Sequence, residues 1–368
     1  MMPRLGLLLF CLVVAACSRD GGPAEAPTWT LRETVRIGSG DEGPMSFAWI
    51  KGLAEGKDGR LYVYEHSTQD IRVFDPTGAY LMTIGRKGAG PGELGNAEGI
   101  AFGADGALWV RDAANGRFSR FDADGKVLEA WTMTYCWSQG TWAPLRTERY
   151  LVDYDCRLGG SGEYAAIGYR VDRSGVDSLA MFVDCGGQAL NEASSWVTRT
   201  ESSVTRRPIP WAPRMEGTLD ATGATWCAPN TAVYELLRFT PGGDTVRVAR
   251  DIAALPVMQD ERDSVIAEFE SSGPSGLDFS RIPATKPIIV RLTVDDRNRL
   301  WVRRDGANGG VLFDIVTPEG RHEATVTLNG VRTSWWSPFV VHGDAVLLVT
   351  LGEDDVQSVG RFVIDRGR

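Results

Sequence analysis

Two separated stretches of this chain recur at one common interval, and that recurrence restricts the fold more than any single residue does. Gly59-Arg60-Leu61-Tyr62-Val63 is matched 47 residues later by Gly106-Ala107-Leu108-Trp109-Val110. Phe74-Asp75-Pro76-Thr77-Gly78 is matched at the same interval by Phe121-Asp122-Ala123-Asp124-Gly125. Such an interval marks a supersecondary unit that buries its apolar face only against its neighbours. The unit reads as four strands. A short apolar run, Gly99 to Phe102, enters the turn Asp105-Gly106, a strong hairpin signal. An aromatic and β-branched strand follows, Leu108 to Val110, then a polar loop and a third strand ending at Phe121. Asp122 to Gly125 has Asp first and Gly fourth, the type I turn preference, and Val127 to Trp131 is the fourth strand. Four antiparallel strands in about 45 residues make one propeller blade.

The same signals continue downstream. The turn between third and fourth strands recurs as Asp172-Arg173-Ser174-Gly175, Thr240-Pro241-Gly242-Gly243 and Thr317-Pro318-Glu319-Gly320. The second strand recurs as Thr225-Trp226-Cys227 and Leu300-Trp301-Val302. A sixth unit runs from Phe339-Val340-Val341 through the turn Gly343-Asp344 and Val346 to Thr350, then Gly360 to Ile364, and lacks a fourth strand. At the other end, Trp29 to Ile37 stands where a fourth strand would stand, since Ile37-Gly38 and Gly43-Pro44 match Ile84-Gly85 and Gly90-Pro91 at the 47-residue interval. The expected fold is therefore all-β: a six-bladed β-propeller closed by its N-terminal strand, so that no blade is left without a neighbour.

This pattern resembles the NHL-repeat six-bladed propellers of bacterial lipoproteins, and Ile84-Gly85-Arg86-Lys87-Gly88-Ala89-Gly90-Pro91-Gly92-Glu93 looks like a linker common in that group. The first two units match best. The third has Arg146-Thr147-Glu148 where an Asp-Gly turn would fall. After the fourth comes an insertion, 252–287, with a helix expected over Gln259 to Glu270 and Val265, Ile266 and Phe269 on one face. It is expected to cover the ring rather than form a second domain.

The N-terminus carries a different signal. Arg4 precedes an apolar run from Leu5 to Val14, the length of a signal-peptide core and too short to span a bilayer. Val14-Ala15-Ala16-Cys17 resembles a bacterial lipobox, in which the cysteine is acylated and becomes the first residue; an ordinary secretory cleavage site is the alternative. Ser18 resembles the outer-membrane sorting choice. The expected organisation is a signal peptide over 1–16, a lipidated tether over 17–27 and the propeller over 28–368. The expected location is the cell envelope, anchored in the outer membrane facing the periplasm or the cell surface. A formal charge of −9 argues against a nucleic-acid surface. In an oxidising compartment the even set Cys136, Cys156, Cys185 and Cys227 reads as disulfides, and the absence of C-x-x-C gives no support to zinc. In propellers of this class the connections after the second and fourth strands share a face. That placement implies the pairs Cys136–Cys156 and Cys185–Cys227.

No phosphate-loop, serine-hydrolase or H-E-x-x-H motif is present, and of the three histidines, His66, His322 and His342, the first and last fall on opposite rims, against a shared metal site. Gly88 to Gly92 reads as an inter-blade turn rather than a phosphate loop, because it contains Pro91 and no helix follows. Asp122-Ala123-Asp124-Gly125 reads as a repeat turn rather than a calcium loop, lacking the later Glu. Trp109, Trp226 and Trp301 share one repeat position and read as packing. The loop tryptophans, among them Trp196 and Trp211, read either as packing or as a binding surface. The longest connections gather on one rim, where binding usually resides on a rigid scaffold. The candidate ligand residues there are Arg86, Glu98, Asp112, Tyr135, Trp137, Arg157, Trp335 and Trp336. The favoured function is a ligand- or protein-binding module held at the envelope through acylated Cys17, with no cofactor. The alternative is a metal-dependent hydrolase or lyase similar to gluconolactonase-like propellers, with Ca²⁺ or another divalent ion held by channel carboxylates, Glu98 and Asp112 among the candidates.

Overall fold

The computed structural model describes residues 26–38, 42–132, 142–144, 150–157, 164–172, 175–178, 193–199, 204–272, 276–334 and 337–367. The chain is an all-β six-bladed propeller. Blade one is β2 (Ile50–Glu55), β3 (Leu61–Glu65), β4 (Asp70–Phe74) and β5 (Tyr80–Ile84). Blade two is β6 (Ala97–Phe102), β7 (Leu108–Asp112), β8 (Arg117–Phe121) and β9 (Val127–Thr132). Blade three is β10 (Trp142–Pro144), β11 (Tyr150–Arg157), β12 (Tyr164–Asp172) and β13 (Gly175–Ser178). After a separate hairpin, β14 (Ser195–Arg199) and β15 (Val204–Pro208), blade four is β16 (Glu216–Leu219), β17 (Thr225–Ala228), β18 (Tyr234–Phe239) and β19 (Thr245–Arg250). Blade five is β20 (Arg291–Val294), β21 (Leu300–Asp305), β22 (Val311–Val316) and β23 (His322–Leu328). Blade six is β24 (Phe339–His342), β25 (Ala345–Leu351) and β26 (Gln357–Asp365), completed by β1 (Thr28–Ile37).

Closure follows the expected route. β1 runs antiparallel to β26, from Thr30 opposite Asp365 to Ile37 opposite Val359. Its first residues also pair in parallel with β23, Thr28 to Thr30 against Thr325 to Thr327, so one strand seals the outer edges of blades five and six together. The first strands β2, β6, β10, β16, β20 and β24 are neighbours in that order around the ring, and β24 meets β2. They form its inner wall.

In each described turn after a first strand one residue is left-handed. Gly59, Gly106, Gly223 and Gly343 supply it at φ of 80, 80, 85 and 60°, and Asn298 takes the position in blade five at 62°. The core lies between blades. Trp109, Trp226 and Trp301 are all fully buried at the repeated position.

The insertion after blade four carries α1 (Gln259–Ser272), two residues longer than expected. Ile266 and Phe269 meet Trp196 of the β14–β15 hairpin, with Ile209, Ala212 and Ile282. The helix and hairpin therefore make one small apolar cluster beside blades four and five. Among the described residues no helix is long and apolar enough to cross a membrane.

Candidate functional site

The rim where the six inner strands begin is also the rim of the blade-to-blade linkers. His66, in the loop after β3, donates its backbone N–H to the carbonyl of Trp49, just before β2, at 2.8 Å. Lys51 in β2 and Glu98 in β6 are 47 residues apart and hold equivalent places at this mouth. Glu98 is bonded to Arg111, whose side chain is fully buried. Lys51 instead sits with its ammonium 4.8 Å from the centre of the Trp49 ring, and His66 meets the same ring edge-on at 4.3 Å. Burial pushes the Lys51 ammonium below its usual pKa, and the Glu98 carboxylate offsets part of that. Burial, and then the Lys51 charge, hold the His66 imidazole below its usual value. Trp49 remains 39% exposed.

The neighbouring buried acids serve the fold. Asp112, at the end of β7, accepts the backbone N–H groups of Gly95 and Asn96 at 3.0 Å and the Asn115 side-chain amide at 2.6 Å. Glu65 is its counterpart in blade one, accepting from Ala48, Trp49 and Ser67 at 2.9–3.1 Å. Each acid fastens the linker leading into its own blade. The Arg86–Glu93 linker is likewise closed on itself. Arg86 pairs with Glu93 at 2.8 Å, and Arg117 donates to the carbonyls of Ala89, Gly90 and Glu93 at 2.6–3.0 Å. This stretch is an inter-blade turn, as its proline implies.

On the far side of the mouth, Glu216 opens β16 and Arg291 opens β20. Glu216 lies 3.2 Å from Arg214 and 3.9 Å from Arg291. Arg291 stands directly opposite Arg303 across the β20–β21 pair. Arg303 is 5% exposed and donates to the Ser334 carbonyl at 2.9 Å and the Thr333 hydroxyl at 2.7 Å. Burial pushes its pKa down to about 10, Asp305 opposing the fall and Arg291 adding to it. Asp305 is held above the usual carboxylate range by burial, with Arg303 and Lys286 drawing it back. Lys286 in turn pairs with Glu261 of α1 at 2.5 Å.

Trp196 is packing. It is 4% exposed, donates its indole N–H to the Asp278 carbonyl at 2.9 Å and meets Phe269 and Phe279 edge-on. Trp211 packs partly buried against the same cluster. Arg157 and Cys156 lie in β11, of which only the backbone is described. Cys17, Tyr135, Cys136, Trp137, Cys185, Trp335 and Trp336 lie outside the described residues. Cys227 in β17 is fully buried and disulfide-bonded. Among the described residues no three His, Cys, Asp or Glu side chains come together as metal ligands. Arg291 and Arg303 were not singled out from the sequence, although a signal existed. Leu300-Trp301-Val302-Arg303 repeats Leu108-Trp109-Val110-Arg111 residue for residue.

Fold and rim together define the class: a β-propeller with a charged mouth. A family model described as a 6-bladed beta-propeller (DUF5128) matches residues 50–170. No curated protein matches by sequence. Among solved structures, the chain is similar to a putative exported protein from Bacteroides fragilis, with a TM-score of 0.50 and 12% identity over 92% of this chain and 95% of that one. It is also similar to virginiamycin B lyase from Staphylococcus aureus (TM-score 0.48, 13% identity, 91% and 99% covered). A gluconolactonase from Xanthomonas campestris is similar as well (TM-score 0.43, 12% identity, 87% of each chain). At these identities the likeness is one of fold.

Proposed function

We propose that this protein is a lipid-anchored binding module of the cell envelope that takes a polar ligand or partner at the mouth of its channel. The observation that carries this reading is the Trp49–Lys51–His66 group. A partly open indole stands just before a first strand fixed by the ring, and the Lys51 ammonium on that strand lies 4.8 Å from its ring centre. An accessible aromatic face beside a half-desolvated cation suits a ligand with both a flat apolar surface and polar groups. The lipobox-like Val14-Ala15-Ala16-Cys17 supports export and anchoring, and the residues that follow to Pro27 read as a tether.

A thermal-shift screen of saccharides, sugar acids and short peptides on the purified body tests this. Saturable binders are expected, and Lys51→Ala and Trp49→Ala should weaken them at least tenfold while both variants keep the parent melting temperature. Binding that neither substitution changes would refute this site. Turnover of a lactone that depends on added Ca²⁺ would replace the binding module with the metal-dependent hydrolase or lyase.

A further inference from the structure

The tetrapeptide Leu-Trp-Val-Arg occurs in blades two and five, and its arginine meets opposite situations. In blade two Arg111 is answered across the sheet by Glu98. In blade five Arg303 faces Arg291 across the sheet. Directly opposed like charges destabilise a strand pair. Here one of the two, Arg303, is also nearly buried, where an unanswered charge costs most.

The local charges do not remove this cost. Among the described residues no carboxylate reaches ion-pair distance of Arg303, which donates instead to the neutral Ser334 carbonyl and Thr333 hydroxyl. Among the described residues the buried Nε atoms of both Arg303 and Arg291 have no hydrogen-bond partner. Glu216 is nearer to Arg214 than to Arg291, so one carboxylate is divided between two guanidiniums. Asp305 bears on Arg303 but is itself buried, and it also feels Lys286, which Glu261 holds. Arg291 keeps a third of its side chain open to solvent, so the positive spot can be reached from the mouth. All this occurs on a chain whose formal charge is −9, where an unrelieved basic spot runs against the overall field.

We infer that Arg291 and Arg303 form the anion subsite of the channel mouth, where Arg291 contacts a carboxylate or phosphate group of a small ligand and Arg303 stands behind it as a second, water-excluded charge. This rests on the binding-module reading and supplies the ligand's charge. A guanidinium presents a planar fork that suits either oxyanion. The bound anion would relieve the repulsion between the two arginines, so binding should stabilise the fold.

The test is thermal shift and calorimetry at fixed ionic strength with D-glucuronate, citrate and inorganic phosphate as probes. The parent should show saturable stabilisation by at least one of them. Glucuronate or citrate acting without phosphate identifies a carboxylate ligand, and phosphate acting alone identifies a phosphorylated one. Arg291→Met should weaken binding at least tenfold while leaving the unliganded melting temperature unchanged or higher. Arg303→Met should also weaken it, although loss of the bonds to Ser334 and Thr333 makes it the less stable variant. If Arg303→Met fails to fold, Arg291→Met decides alone. No saturable response from the parent, or an Arg291→Met variant that binds all probes as the parent does, overturns the inference. If binding falls in Lys51→Ala and not in Arg291→Met, the module reading stands and the anion subsite does not.

Discussion

Asp314 shows how one buried carboxylate can hold two blades together. Its side chain is fully buried, bonded to Arg304 at 2.7 Å and to the Thr325 hydroxyl at 2.7 Å, with Arg250 of blade four at 2.9 Å and His322 at 3.6 Å. Arg250 also lies 5.2 Å from the ring centre of Tyr234. These bonds outweigh burial and hold the Asp314 carboxyl well below the usual carboxylate range, while burial pushes the Tyr234 hydroxyl up. Asp314→Ala strands two guanidiniums and should cost about 3–5 kcal/mol in urea unfolding. The pH dependence has a definite sign. A carboxyl with a depressed folded-state pKa adds stability that is complete above its unfolded value of about 3.9 and disappears as pH falls through the folded value. The stability gap between parent and Asp314→Asn should therefore be flat from about pH 8 to pH 5 and shrink below about pH 4. A gap that widens in acid would show that Asp314 is not the linked group.

At the scale of elements, two pieces carry unequal loads. β1 contributes Ile37, fully buried, and places Trp29 and Leu31 against the core of blades five and six. Removing residues 28–37 uncovers the edge of β26 and part of β23, so a chain starting at Gly43 should aggregate or lose most of its melting temperature. If it melts like the parent, the ring is not held this way. The α1–hairpin cluster sits outside the repeat. Trp196→Ala should cost about 3 kcal/mol locally and raise amide exchange in α1, with the blades unaffected. Equal exchange changes in the blades would show that the cover and the ring unfold as one unit.

For the whole molecule, the expected state is a processed, anchored and disulfide-linked body. Intact mass of the membrane-extracted protein should show loss of residues 1–16 and acyl chains on Cys17. A soluble product starting elsewhere would remove the anchor from the proposal. Non-reducing peptide mapping should yield Cys136–Cys156 and Cys185–Cys227, each worth roughly 2–4 kcal/mol by restricting the unfolded chain. Cys227 is already bonded in the structure, and a crossed pair would refute the assignment.

The ring was legible in the residues because its information is local and repeated. A turn that needs a left-handed residue selects Gly or Asn at 59, 106, 223, 298 and 343, and an inter-blade slot selects Trp at 109, 226 and 301. Two such signals at one interval determine blade length, and the unpaired strand at each end determines closure. The site was not legible in the same way, because what an ionisable side chain does depends on what the tertiary structure sets against it. Glu98 and Asp112 look alike as channel acids, yet one meets a buried guanidinium and the other three backbone amides and an Asn side chain. Trp49 and Trp196 look alike as loop aromatics, yet one stays open beside Lys51 and the other fills the space under α1. Arg111 and Arg303 end the same four residues, and only the strand beside each decides that one is neutralised and the other is not. Periodic backbone requirements are written along the chain; Coulomb and desolvation energies are set by distances that exist only once the blades have closed.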